Sequence, residues 1–215
     1  MKSILCYGDS NTFGSNPAGL PVRHPYSVRW PGRLQALLGE EFLVIEEGMG
    51  GRTTVWDDPL EPGRRGLDFL PVALQSHRPL DLVILSLGTN DCKTIFHASP
   101  RAITRGMQCL MDTVRRFSYG PGVQVPEILI ISPIHMGPKV EDSVFGVFDE
   151  ESARKAEQLA PLYEQLARQY RCGFLDGAKY GFPGPDQLHM TAEGHKALAE
   201  AVAGKVKEML GEGKS

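Results

Sequence analysis

The sequence predicts an α/β fold in which a parallel five-stranded sheet is covered by helices on both faces. Short runs rich in β-branched residues alternate along the chain with longer segments of helical periodicity. One run, residues 82–87, is continuously apolar, as expected of a strand buried on both faces. The chain has 215 residues and shows neither an internal repeat nor a low-complexity linker, so it is interpreted as one domain over residues 1–215.

Local signals place the elements in order. The predicted strands are residues 3–7, 42–46, 82–87, 128–132 and 173–176. The predicted helices are residues 30–38, 68–76, 100–117, 149–170 and 192–210. Apolar side chains at three- and four-residue spacing identify the helices. Ser99 before Pro100 and Thr191 before the last helix are typical N-terminal signals, and Gly39 ends the first helix.

Two irregular stretches interrupt this alternation, at residues 16–29 and 133–148. Both are rich in proline, glycine and polar residues. Loops of this length in a compact domain are usually functional. We therefore expect them to border a binding site or an interface.

Composition and charge exclude several classes of function. Hydrophobic residues make up 41%, charged residues 23%, and the formal net charge is −3, an ordinary globular balance. Such a chain offers no basic field for nucleic acid, and its apolar runs are far shorter than the roughly 20 residues that span a bilayer. Neither the four cysteines nor the six histidines show metal-ligand spacing, so no metal is expected. The N-terminus lacks a secretory signal pattern, so we expect a cytoplasmic location.

Polar residues follow the first three predicted strands where each strand ends. These segments are Gly-Asp-Ser-Asn at residues 8–11, a glycine-rich stretch at residues 47–53, and Gly-Thr-Asn-Asp at residues 88–91. In open α/β sheets, ligands bind beyond the carboxyl ends of the strands, where the strand order reverses. In the flavodoxin-like order 2-1-3-4-5, strands two, one and three are neighbours. The three segments would then converge.

Ser10, His189 and Asp186 form a candidate catalytic set. A serine hydroxyl needs an adjacent base to become nucleophilic, and His189 is the candidate base. Asp186, three residues before it, can orient the imidazole, which is the division of roles in a Ser-His-Asp triad. Asp176, at the end of the fifth predicted strand, is the alternative carboxylate. The shorter tether favours Asp186.

Acyl transfer also needs donors for the developing oxyanion. The candidates are the backbone N–H of Ser10, the backbone N–H of Gly51 and the side-chain amide of Asn90. Other side chains near these segments are candidates for contact with substrate. They are Asn11, Phe13, Trp56 and Leu188, with Phe96, Phe148, Phe182 and Met190 as further candidate walls.

These segments carry a family resemblance. Residues 8–11 resemble the Gly-Asp-Ser-Leu block of the SGNH (GDSL) hydrolases, residues 48–54 its second block, and residues 88–91 its third. Asp186-x-x-His189 is similar to the fifth block. The four blocks occur in the family's order across nearly the whole chain.

The resemblance implies a three-layer α/β/α fold and ester hydrolysis without metal or cofactor. It implies that Ser10, Gly51, Asn90 and His189 are the four name-giving residues. Within the superfamily, residues 29–32, 51–54 and 87–91 are similar to the bacterial arylesterase and acyltransferase group. That similarity implies a homo-oligomeric serine esterase for short-chain aryl or alkyl esters, with acyltransferase or perhydrolase side activity.

Two departures from the family pattern leave alternatives open. Asn11 stands where the family usually has leucine, which changes the expected polarity of the acyl pocket. The second block contains two adjacent glycines, so Gly50 is an alternative to Gly51 as the oxyanion donor. A carbohydrate deacetylase of the acetyl-xylan type is the alternative function on the same fold. A flavodoxin-like binding domain without catalysis is the third, and it predicts an unreactive Ser10.

Overall fold

A parallel sheet of five strands forms the centre of the computed structural model, which describes residues 1–20 and 22–211. The strands are β1 (Lys2–Gly8), β2 (Phe42–Gly48), β3 (Leu82–Ser86), β4 (Glu127–Ser132) and β5 (Gly173–Asp176). They lie in the order β2-β1-β3-β4-β5, and every pairing between neighbours is parallel. The predicted fold class and strand order are confirmed.

Helices cover both faces of the sheet. They are α1 (Ser10–Phe13), α2 (Trp30–Leu38), α3 (Gly66–His77), α4 (Pro100–Arg116), α5 (Glu150–Tyr170) and α6 (Ala192–Leu210). Along β1, Ile4 and Cys6 pack with α2 and α6, whereas Leu5 and Tyr7 pack with α3, α4 and α5. Successive side chains of a strand point to opposite faces, so one buried strand supplies both cores. None of the helices in the described ranges has the length and apolar character that crossing a membrane requires.

The structure differs from the sequence prediction by one residue at several element ends and by more at α1, β2 and α3. The four-residue helix α1 was not predicted, because it is too short to show a helical period. The strand β2 continues two residues further than predicted, since its pairing with β1 extends to Gly8 opposite Gly48. The helix α3 begins two residues earlier than predicted, and its Gly66 N–H donates to the Thr53 carbonyl at 3.1 Å. In the last two cases, contacts with distant residues set the boundary.

Candidate active site

Ser10 lies at the carboxyl end of β1, on the first residue of α1. Asp9 precedes it as the N-cap, and its carboxylate accepts the Asn11 N–H at 2.9 Å. Space at this turn requires glycine at position 8, because a Cβ there would lie 2.0 Å from Thr12 Oγ1. The local sequence therefore builds a tight strand-to-helix turn that holds the Ser10 backbone in a fixed position.

A continuous chain of hydrogen bonds joins Ser10, His189 and Asp186. The Nε2 atom of His189 lies 2.8 Å from Ser10 Oγ, and its Nδ1 atom lies 2.6 Å from Asp186 Oδ2. The other carboxylate oxygen of Asp186 accepts the backbone N–H groups of Leu188 at 3.0 Å and His189 at 2.9 Å. Burial would raise the pKa of Asp186, but these hydrogen bonds outweigh it and hold the pKa below its usual range. An ionised Asp186 fixes the proton on Nδ1, which leaves Nε2 free to accept the hydroxyl proton of Ser10.

Asp176, the alternative carboxylate, is bonded elsewhere. Its Oδ1 atom accepts the Ser132 hydroxyl and the Ala178 N–H, each at 3.2 Å, and it caps a short 3₁₀ turn at Gly177–Lys179. Of the two carboxylates that the sequence offered, the structure therefore brings Asp186 to His189.

Four candidate hydrogen-bond donors belong to residues that line the cavity beside Ser10. The Asn90 side-chain amide gives one N–H to the Arg52 carbonyl at 3.1 Å, and an amide nitrogen has a second N–H to offer. Asn90, Gly50 and Gly51 all line the cavity. Within residues 1–20 and 22–211, the backbone N–H groups of Ser10, Gly50 and Gly51 have no hydrogen-bond acceptor. Such unpaired donors are the groups that can stabilise an oxyanion.

Gly50 and Gly51 differ in whether their backbone conformation and surroundings would accept a side chain. Arg52 N–H donates to the Met49 carbonyl at 3.2 Å, which makes Gly50 and Gly51 the central residues of a β-turn. Gly51 has φ +73°, the left-handed conformation that a type II turn requires at its third position. A Cβ at Gly51 would also meet Glu61 Oε2 at 2.6 Å, whereas one at Gly50 would meet open space. Glycine is therefore required at 51 and not at 50.

Buried polar contacts hold the second and third segments together. The Asp91 carboxylate accepts the Thr54 N–H at 2.9 Å and also its hydroxyl, and burial raises the pKa of Asp91 to about 6. The Arg52 guanidinium donates to the Gly8 carbonyl at 2.8 Å and lies over the Tyr7 ring. No role was predicted from the sequence for Asp91 or Arg52, although both lie inside the motif segments.

The cavity itself has a volume of about 350 Å³. Its lining residues are Ser10, Ser15, Gly50, Gly51, Leu60, Glu61, Arg64, Asn90, Lys93, Phe145, Val147, Phe148, Leu188 and His189. The end of the irregular stretch 133–148 thus contributes an aromatic wall. Phe145 and the charged side chains of Glu61, Arg64 and Lys93 were missed, because they lie outside every motif.

Three predicted substrate-binding residues do not line this cavity, unlike Leu188. Asn11 accepts the Met190 N–H at 2.9 Å and donates to the Leu188 carbonyl at 3.4 Å, so its amide is directed at the His189 loop. The Arg23 guanidinium lies over the Phe13 ring, with its central carbon 4.0 Å from the ring centroid of Phe13.

Trp56 packs against Phe96, with their ring centroids 6.3 Å apart. Phe96, Phe182 and Met190 are likewise absent from the cavity wall. An aromatic residue near a motif in sequence can therefore point into the core instead of towards the site.

Comparison with known proteins gave consistent matches. The model of the GDSL-like lipase/acylhydrolase family matches residues 6–197. The chain is similar to the structure of a carbohydrate acetylesterase family member from Sinorhizobium meliloti, with 38% identity and a TM-score of 0.91 over 98% of this chain and 100% of that one. It is equally similar to an aryl esterase from M. smegmatis, with 38% identity, a TM-score of 0.90 and the same coverage. A comparison with curated proteins gave no match.

Proposed function

The chain belongs to the GDSL-like lipase/acylhydrolase family and is a carboxylic ester hydrolase, and from this premise we propose that it cleaves short-chain aryl and alkyl esters through Ser10, His189 and Asp186. The observation that carries the proposal is the hydrogen-bond chain from Ser10 Oγ through both ring nitrogens of His189 to Asp186. Ser10 and His189 line a cavity of about 350 Å³, a volume suited to a small ester.

The proposed reaction proceeds through an acyl-enzyme. Ser10 Oγ attacks the ester carbonyl carbon while His189 Nε2 takes the hydroxyl proton. Asp186 stabilises the imidazolium that forms, and the oxyanion is held by the N–H groups of Ser10 and Gly51 and by the Asn90 amide. The imidazolium then protonates the leaving alcohol. Water, activated by His189, releases the acid and restores Ser10.

Acyl transfer and homo-oligomeric assembly belong to the same proposal. An alcohol that enters the cavity in place of water would take the acyl group from Ser10 by the same steps.

A second candidate substrate class, acetylated carbohydrate, is favoured by one observation. Glu61, Arg64 and Lys93 give part of the cavity wall a polar, hydrogen-bonding character. One of the similar structures is also described as a carbohydrate acetylesterase family member.

Labelling and substitution test the proposed function. A paraoxon-type phosphylating reagent followed by peptide mapping should modify Ser10. Ser10→Ala should lower kcat on p-nitrophenyl acetate by about 10³–10⁶ while the fold is retained. Ser76→Ala, an exposed serine on α3, is the matched control and should keep wild-type activity. Activity of Ser10→Ala within tenfold of wild type would refute the proposal. A series of p-nitrophenyl esters from acetate to octanoate would then define the acyl length limit.

A further inference from the structure

The cavity beside Ser10 has two walls of different chemistry. The wall next to His189 is apolar, because Phe145 packs edge-on against the imidazole with ring centroids 5.5 Å apart and Leu188 precedes His189 in the chain. The other wall is formed by Glu61, Arg64 and Lys93, which we call the polar wall.

The polar wall adjoins the candidate oxyanion donors. A Cβ placed on Gly51 would lie 2.6 Å from Glu61 Oε2 and 2.9 Å from Arg64 Nε, so both groups stand directly over that glycine. The Lys93 N–H donates to the Asn90 carbonyl at 3.2 Å, which ties Lys93 to the third motif segment. Glu61 and Arg64 therefore border the place where the proposed oxyanion would be held.

Hydrogen-bonding capacity in the polar wall is only partly used. Lys93 Nζ contacts Asp58 Oδ2 at 2.6 Å and Glu61 Oε2 at 3.4 Å, and an ammonium group has a third donor. Arg64 Nε is buried and donates to no acceptor in the part of the chain that the structure describes. Its distance to Glu61 Oε2 is 3.6 Å, too long for a charge-assisted hydrogen bond. Glu61 is about half exposed, so its carboxylate can accept a further bond.

The charges of the polar wall select a neutral polar group. The buried Asp58 balances Lys93, and Glu61 balances Arg64, so these four side chains carry no net charge. A carboxylate in the ligand would be repelled by Glu61. A methyl group would fill the same space without pairing with Glu61 or Lys93. A hydroxyl group can donate a hydrogen bond to the Glu61 carboxylate and accept one from Lys93 or Arg64, so it pairs with both kinds of group in the polar wall.

The reaction geometry decides which half of the ester meets this wall. The leaving oxygen must take its proton from His189 Nε2, so the alcohol portion lies along the apolar wall. The acyl chain, on the other side of the carbonyl carbon, then extends towards the polar wall. We propose that Glu61, Arg64 and Lys93 bind a hydroxyl group of the acyl chain, so that the enzyme prefers esters of short hydroxy acids. This inference rests on the proposed function.

Two isosteric substrates test it. The p-nitrophenyl esters of 3-hydroxypropanoate and butanoate differ by a hydroxyl in place of a methyl group. Each kcat/KM is divided by the rate constant for hydroxide hydrolysis of the same ester, which removes the difference in intrinsic reactivity. We expect the wild type to prefer the hydroxy ester by about tenfold or more, as a hydrogen bond to a charged group provides.

Substitutions then assign the preference to the polar wall. Glu61→Leu and Arg64→Met should each reduce the preference, measured as the ratio of kcat/KM on the two esters, by at least about threefold. Leu60→Ala is the matched control, because Leu60 lies on the same loop and lines the same cavity. It should change both substrates alike and leave their ratio unaltered. Glu61 and Arg64 are both partly exposed, so the variants should fold, and melting temperatures verify this.

The outcomes separate this inference from the proposed function. An unchanged ratio in both variants, or an equal loss on both esters, would overturn the hydroxyl subsite while leaving ester hydrolysis intact. A wild type that hydrolyses butanoate without preferring the hydroxy ester overturns it as well. If neither ester is cleaved, or if Ser10→Ala cleaves both as fast as wild type, the proposed function fails, and this inference fails with it.

Discussion

Replacing Asn11 should impair catalysis even though its side chain does not line the cavity. Its amide spans two distant parts of the chain: it accepts the Met190 N–H at 2.9 Å and donates to the Leu188 carbonyl at 3.4 Å. These two residues flank His189, and Asn11 itself follows Ser10. One side chain therefore sets the spacing between nucleophile and base.

The structure gives the magnitude. Asn11, Leu188 and Met190 are all buried, so Asn11→Leu would leave one N–H and one carbonyl without a partner and without water. An unpaired buried group costs about 1–3 kcal/mol, and the 3.4 Å bond is the weaker of the two, so we expect a total of about 2–4 kcal/mol in the free energy of unfolding. Displacement of a catalytic group by about 1 Å costs about 10²-fold, so kcat should fall by about 10- to 100-fold.

The assay is steady-state hydrolysis of p-nitrophenyl acetate together with urea denaturation at one pH. Asn11→Asp keeps an acceptor for the Met190 N–H and should recover part of the lost kcat. Asn16→Ala is the control, because the Asn16 side chain accepts the N–H of nearby Ala18 in an exposed loop. It should leave kcat and stability near wild type.

A change in KM alone would refute this reasoning. If Asn11→Leu raised KM without lowering kcat or stability, the side chain would be contacting substrate, as the sequence analysis expected. Stability and kcat both at wild-type values would show instead that the two hydrogen bonds have no consequence for the His189 loop.

Three further predictions concern carboxylates and amides of the site. Asn90→Ala should lower kcat by about 10²–10³ with a smaller change in KM, whereas a pure KM effect would place the amide in ground-state binding. Asp186→Asn should lower kcat by up to about 10⁴, while Asp176→Asn should lower the melting temperature more than the rate; the opposite pattern would reassign the carboxylate. Burial raises the pKa of Asp91 to about 6, above its value in the unfolded chain. The folded protein therefore binds this proton more tightly than the unfolded chain does. The resulting gain in the free energy of unfolding is present at low pH and is lost as the pH rises from about 4 to 6. The free energy of unfolding of wild type relative to Asp91→Asn should therefore be about 2 kcal/mol greater at pH 4.5 than at pH 7 by urea denaturation, and an equal difference at both pH values would contradict it.

The sequence by itself determined the fold class and the residues that follow each strand. These features depend on local patterns: apolar periodicity distinguishes strand from helix, and turn residues mark where each strand ends. Because the carboxyl ends of parallel strands meet at one edge, Ser10 and Asn90 could be expected near each other before any contact was known. The pairing of Asp186 with His189 could also be expected from the sequence, because the Asp-x-x-His spacing keeps both residues within one turn.

Only the tertiary structure decided which way the surrounding side chains point. Asn11 was expected to contact substrate, and the structure shows that its amide bonds the backbone on either side of His189, 177 and 179 residues away. Glu61, Arg64 and Phe145 line the cavity although no motif contains them. Such contacts join segments that are far apart in the sequence. Whether these segments meet depends on how the whole chain packs, so a local sequence pattern cannot predict it. The residues proposed to perform the reaction could thus be predicted from sequence, whereas most of the cavity wall could not.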